Sequence, residues 1–402
     1  MFGIKFYLKY LFFNKILISN KSNIYIIMKF KIKTDIIKKG LEVVNCATAV
    51  VTTTPILENI LIKVNFNNII LSSNNLEMAV EYMITEDIEI KSEWAFCLPS
   101  RIFTNYILLV DDDYINIELI KDKSVKITTK NSHINIKWLE AKEFPLIPTI
   151  KEDKNLTIKW EILKKSINKT LFSSAEWSIR PELAWLAVTI KWKEITFAST
   201  DSLRLSEYKV ELENEIDFEF FNILPSKTAN QIKNIIDNDK NVKIISANSQ
   251  IIFISWNIKI YSRLINGNFP DYSTFFPKNF ITKVEINRVN ILWALKKINL
   301  VSRENNYSIR MWISSERWVE LETSETKVWE WNITLVWSIE WENSIIWINS
   351  IYLLEVLNVI KTTYVSISFE TTQSPVFITP VIDSKGKKNN DSFRHIIMPL
   401  KI

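Results

Sequence analysis

Leu98-Pro99-Ser100-Arg101 returns 126 residues later as Leu224-Pro225-Ser226-Lys227, and after a further 124, more loosely, as Ile348-Asn349-Ser350-Ile351. Two other markers keep nearly the same period. Asp35-Ile36-Ile37-Lys38-Lys39 recurs as Glu161-Ile162-Leu163-Lys164-Lys165, with a looser third copy in Asn290-Ile291-Leu292 ahead of Lys296 and Lys297. Phe144-Pro145 recurs as Phe269-Pro270, and Met398-Pro399 closes the third unit. Three markers with one spacing make the chain a tandem triplication. The units run 28–150, 151–275 and 276–402.

Each unit reads alike. An opening strand leads to an amphipathic helix, with Ile36, Ile37, Leu41 and Val44 at the helical spacing of the first copy. Strands follow, then a second helix that Pro99 or Pro225 starts at its first position, then more alternating strands. Stretches such as Val125 to Thr129 and Tyr364 to Phe369 alternate with period two. The class is α+β with much antiparallel sheet.

Composition narrows the chemistry. The 402 residues exceed one core, and the net charge of +5 is compatible with a polyanionic partner without requiring one. The two cysteines, Cys46 and Cys97, cannot build a disulfide framework; they read as small buried apolar residues in a reducing compartment. His133 and His395 are too far apart in sequence to suggest a metal site. Asp111-Asp112-Asp113 reads as a solvated turn, and Lys385-Gly386-Lys387-Lys388 as a flexible basic loop. No phosphate-cradling glycine loop occurs, and Ser/His/Asp chemistry has little to draw on. No metal, cofactor or catalytic residue is expected.

Residues 1–27 differ from the rest. Lys5, Lys9, Lys15 and Lys21 break every apolar run before it reaches the ~18–20 residues of a membrane span, and no small-residue cleavage site follows. Met28-Lys29-Phe30-Lys31-Ile32 opens a clean strand, so Met28 is the expected start and 1–27 a non-native extension. The alternative is a basic helix on a membrane surface.

Fifteen tryptophans stand against four glycines, where ordinary usage gives roughly 28 glycines. Several tryptophans sit in turn chemistry. Thr189 to Thr196 around Trp192, and Ile251 to Ile260 around Trp256, read as paired strands meeting at a tight turn that wants φ > 0, which glycine supplies. Reading glycine at 177, 185, 192, 256, 318 and 347 regularises each pattern. The expectation is a gene whose UGA codons mean glycine, read with a table in which UGA means tryptophan. The alternative is a tryptophan-rich protein with aromatic ligand sites.

With Trp185 read as glycine, Arg180-Pro181-Glu182-Leu183-Ala184-Trp185 and Ala198-Ser199-Thr200-Asp201-Ser202-Leu203-Arg204-Leu205 closely resemble the bacterial DNA polymerase III beta subunit, the sliding clamp. Arg263 to Tyr272, Asn349 to Leu357 and Ile397-Met398-Pro399-Leu400 carry the same resemblance, which spans 28–402 in order. It implies three clamp domains per chain and two chains closing head to tail into a ring around duplex DNA, helices inside and sheets outside. It also implies a non-catalytic accessory subunit in the cytoplasm. Implied partners are double-stranded DNA, a second copy, the polymerase III alpha subunit, the clamp loader, repair polymerases and mismatch-repair proteins, with no membrane.

Residue by residue, the resemblance implies a peptide-binding pocket walled by Arg180, Leu183, Thr200, Ser202, Leu203, Leu205, Pro270, Thr274, Phe275, Asn349, Tyr352, Met398, Pro399 and Leu400. Leu203 replaces a histidine common in relatives, and Thr274-Phe275 a basic–aliphatic pair, so peptide preference is expected to differ in detail. The implied dimer contact joins Ile134 and Ile136 of one chain to Leu300 and Val301 of the other. Lys39, Arg101, Lys165, Lys169 and Lys227 lie on expected helices, suited to sequence-independent phosphate attraction. The rival functions are a carbohydrate-binding protein with tryptophan stacking platforms and a β-rich surface adhesin.

Overall fold

The computed structural model describes residues 26–50, 52–120, 123–147, 154–175, 185–235, 240–247, 249–265, 267, 269–277, 279–314, 318–323, 332–336, 338–340, 343–382 and 392–401. The chain divides into two compact units, one of residues 1–149 with 256–261 and one of 150–255 with 262–402.

The repeat is written in the element order. Three strands, Ile26–Lys33, Lys154–Lys159 and Thr282–Asn287, each run directly into a helix: α1 (Thr34–Asn45), α3 (Trp160–Thr170) and α5 (Arg288–Ser302). Trp94–Pro99, Phe220–Pro225 and Ser344–Asn349 likewise run into α2 (Ser100–Leu108), α4 (Ser226–Ile235) and α6 (Ser350–Val359). These second helices begin one residue after the expected proline. Pro99 keeps an extended ψ of 114° and is paired with Asn59, so the prolines close the strands and the serines open the helices. In the third repeat both helices are capped by asparagine. The Asn287 side chain accepts from Val289 N and Asn290 N, and the Asn349 side chain accepts from Ile351 N and Tyr352 N. Each cap satisfies two amide donors that the first turn leaves open.

In the first unit a five-stranded antiparallel sheet has the order Ile88–Ile90, Ile26–Lys33, Tyr114–Ile120, Ser124–Thr128, His133–Lys137. Leu139–Glu140, Trp94–Pro99, Asn59–Asn65, Asn68–Asn74 and Met78–Ile84 form a second sheet. α1 packs Ile37, Leu41 and Val44 inward, and Gly40 lets the helix approach Leu71 and Tyr82 so closely that a Cβ there would lie 2.9 Å from Leu71 Cδ1.

The second unit is organised by one nine-stranded sheet. Its order is Phe220–Pro225, Trp185–Lys191, Glu194–Thr200, Arg204–Glu211, Phe393–Ile397, Val376–Val381, Tyr364–Phe369, Thr282–Asn287, Ser338–Glu340. The second and third repeats are therefore joined edge to edge, through Arg204–Glu211 against Phe393–Ile397. Beneath the third repeat lies a core built from Ile286, Leu295, Ile309, Leu353, Leu357, Val365 and Ile378, all but free of solvent. Burial of this kind contributes about 1.5–3 kcal/mol per large aliphatic side chain. No described helix is long and apolar enough to cross a membrane.

Candidate functional site

The edge-to-edge seam places two walls side by side. Arg204 pairs with Ile397, Leu205 with Ile396, Ser206 with His395 and Glu207 with Arg394. Where the strand Glu194–Thr200 turns back, three residues form a tight loop. Thr200 Oγ1 donates to Arg204 O at 2.6 Å and accepts from Ser202 N at 3.1 Å. Asp201 Oδ1 accepts from Leu203 N and Arg204 N at 2.9 and 3.0 Å. Ser202 takes a left-handed φ of 77°, and Leu203 is left half exposed. The C-terminal segment docks on this loop and on the third repeat. Met398 N donates to Leu203 O, and Leu400 N donates to Trp347 O, both at 2.8 Å.

Arg204 ties the walls together. It is 8% exposed, and Nε donates to Asp201 Oδ2 at 2.9 Å while Nη2 donates to Phe172 O at 2.8 Å. Nη1 donates to Glu355 on α6. The guanidinium also lies 4.4 Å from the centroid of the Tyr352 ring. One cation thus holds the loop, the short turn Leu171–Ser173 that follows α3, and α6 at once. Within the Ala198–Leu205 motif the local signal for this role is the opposite charge of Asp201 three residues earlier; the links to Phe172, Glu355 and Tyr352 leave no trace in the neighbouring sequence.

Below it, His395 is fully buried between Phe172 and Phe393, with Nδ1 2.8 Å from Ser206 Oγ, which lies 2.6 Å from Ser173 Oγ. Burial, and then the Arg204 charge, hold the imidazole well below its ordinary pKa, so it is neutral. His395 lies within the last strand, Phe393–Ile397. Glu207 is 3% exposed and paired with Arg394, whose guanidinium sits 4.1 Å from the Phe276 ring centroid. Burial, then Asp201, raise the Tyr352 hydroxyl pKa.

The loop, the terminal segment and the start of α6 bring Thr200, Ser202, Leu203, Asn349, Tyr352, Met398, Pro399 and Leu400 to one seam. Leu205 is buried with Phe276 and Ile396, with Tyr272 and Phe377 packed against them. It therefore underlies the site as core. Thr274 and Phe275, on the short turn Ser273–Phe275, and Pro270 are exposed. Arg180 and Leu183 lie outside the described residues. The space lined by Leu163, Ile167, Val188 and Phe253 is apolar interior of the second repeat and is not part of the seam.

Family models for the DNA polymerase III beta subunit match three consecutive stretches: the N-terminal domain at residues 28–148, the central domain at 157–271 and the C-terminal domain at 273–401. The chain belongs to this family. A curated beta sliding clamp of Staphylococcus epidermidis is 28% identical over 385 residues, covering 93% of this chain and 99% of that protein. The beta chain of Streptococcus pneumoniae DNA polymerase III superposes with a TM-score of 0.89 at 26% identity, over 93% of this chain and 100% of that one. The Streptococcus pyogenes beta subunit gives 0.88 at 26%, over 93% and 100%. The family does not favour the carbohydrate-binding or adhesin readings.

The other expected site residues divide. Lys39 on α1, Arg101 on α2, Lys165 on α3 and Lys227 on α4 are exposed. Lys169 is not, which corrects its assignment as a DNA-facing residue. It is 7% exposed, with Nζ 4.8 Å from the Tyr208 ring centroid and 5.1 Å from that of Phe393. Four residues after Lys165 it lies on nearly the same face of α3, and it is the packing over Tyr208 and Phe393, not helical periodicity, that covers it. Ile134 and Ile136 lie on the edge strand His133–Lys137, but Ile136 is 5% exposed and fills its own sheet. What that edge can offer a second copy is backbone, with Ile134 half-buried. On α5, Leu300 is 79% exposed and Val301 half-buried. Cys97 is buried as expected, whereas Cys46 is only half-buried; burial pushes both thiols up to about 12.

Proposed function

We infer that this chain is a DNA polymerase processivity factor, a sliding clamp without catalytic chemistry of its own. The observation that carries the reading is the family assignment across three consecutive domains, supported by the threefold recurrence of strand-into-helix units. Two copies close head to tail around duplex DNA, with the His133–Lys137 edge and the Leu300–Val301 end of α5 as the contact. The exposed Lys39, Arg101, Lys165 and Lys227 support loose attraction to phosphate, which fixes no register because it reads no base edge.

The mechanism is geometric. A closed ring leaves DNA only by opening or by sliding off an end, so a bound polymerase stays at high effective concentration near the primer terminus. The seam around Leu203, Tyr352, Met398 and Leu400 receives short peptides from the polymerase III alpha subunit, the clamp loader, repair polymerases and mismatch-repair proteins. Its half-exposed apolar side chains beside a few fixed polar groups suit such ligands. Arg180, Leu183, Pro270, Thr274 and Phe275 complete this proposed wall. The clamp works in the cytoplasm, where the chromosome is copied.

Gel filtration followed by plasmid retention tests this. A dimer that stays on nicked circular plasmid and runs off the same plasmid after linearisation is expected. Equal retention on both forms would falsify the ring.

A further inference from the structure

Five tryptophans sit where tryptophan is a poor residue, for three unrelated physical reasons. Trp192 and Trp256 take left-handed φ of 52° and 49°, each opening a two-residue turn between paired strands. Every L side chain is strained there and glycine is not. Their side chains are also 63% and 68% exposed, so the indoles recover little by burial. Trp138 and Trp160 show a different fault. Both bury an indole Nε1 that finds no hydrogen-bond partner, and Trp160 has no solvent exposure at all. A buried indole N–H ordinarily has a partner, and leaving it without one costs its desolvation. Trp185 shows the third. Its ring fills the space a Cβ on residue 267 would take, 2.8 Å from Trp185 Cζ3, so tryptophan fits at 185 only because residue 267 is glycine.

The described glycines are not where the backbone asks for them: neither Gly40 nor Gly267 has a left-handed φ. Trp312 is the contrast. Its Nε1 donates to Glu322 Oε2 at 3.2 Å, and Arg310 packs 5.1 Å from its ring centroid. Glycine at the five positions would remove two strained backbones and two orphaned donors and would free the space beside residue 267.

We infer that residues 138, 160, 185, 192 and 256 are glycine in the protein as its own cell makes it, encoded by UGA codons, and that Trp312 is tryptophan encoded by UGG. The chain shown and the native chain then differ at the strand Trp185–Lys191, which follows the proposed pocket residues Arg180 and Leu183. Nothing in the inference depends on the pocket reading.

Two measurements decide it. The five codons are read from the gene, and the tryptic peptide 244–259 is weighed from protein purified from its own cells. UGA at all five, with glycine in that peptide, is expected; UGG at any of the five, or tryptophan in the peptide, overturns the inference. Independently, recombinant W192G and W256G are each expected to raise the melting midpoint by about 2 °C, and W312G to lower it. Midpoints unchanged or lowered for both turn variants overturn the strain argument even if the codons are UGA.

Discussion

The Arg204 guanidinium lies 4.4 Å from the ring centroid of Tyr352, binding a strand of the second repeat to a helix of the third. The same cation bonds Asp201, Glu355 and Phe172 O, so the geometry of the seam depends on one side chain. Arg204→Ala strands the carboxylate of Asp201, itself only 13% exposed, and is expected to cost about 3–5 kcal/mol of stability in urea denaturation. A double-mutant cycle of R204K with Y352L should return a coupling of about 0.5–2 kcal/mol. Strictly additive losses would refute the stacking contact.

Acid should loosen the same seam through His395. Its folded pKa is depressed, so below about pH 6.5 the unfolded chain takes up a proton that the folded chain refuses. The stabilising contribution is complete above that pH. It declines by up to about 1.4 kcal/mol per unit as pH falls towards the folded value. Urea midpoints of H395L should fall less steeply between pH 6.5 and 5 than those of the parent; parallel curves would rule the imidazole out as the cause.

Truncating the terminal segment probes the peptide site. Leu400→Ala and Met398→Ala are each expected to weaken binding of a polymerase-derived peptide by about 1–3 kcal/mol, measured by calorimetry. Normal affinity in both variants would remove the C-terminal segment from the proposed wall.

Lysines one helical turn apart should behave differently. Charge reversal of Lys165 and Lys227, both exposed, is expected to reduce plasmid retention and flatten its salt dependence by about one unit of log–log slope per lost phosphate contact. Lys169→Met should leave that slope alone and act on stability, because the ammonium lies over Tyr208 and Phe393. A changed slope for K169M would restore it to the DNA-facing set.

Leu300 is the apolar residue of α5 most open to water, at 79% exposure. Leu300→Asp should shift the sedimentation equilibrium towards monomer while leaving the melting transition of the monomer in place. Unaltered dimer mass would move the proposed contact elsewhere.

Much of the fold is legible in the sequence. The markers Leu98-Pro99-Ser100-Arg101 and Leu224-Pro225-Ser226-Lys227 mark equivalent strand-to-helix junctions, displaced by one residue because proline can end a ladder as well as begin a helix. The strand Tyr364–Phe369 falls on its period-two stretch. The turns at Trp192 and Trp256 occur where left-handed backbone was expected. The roles of His395 and Arg204 are not legible locally: Phe393 and Asp201 are near in sequence, but Phe172, Ser206, Glu355 and Tyr352, which complete their surroundings, are not.

By itself the sequence determined the threefold repeat, the α+β class and the family, since periodicity, turn chemistry and motif order are properties of neighbouring residues. Only the tertiary structure decided that Arg204–Glu211 meets Phe393–Ile397, that Lys169 points inward and that Leu205 is core. Those outcomes depend on strand edges from distant parts of the chain competing to bury the same surface, and no local pattern encodes which of them meet.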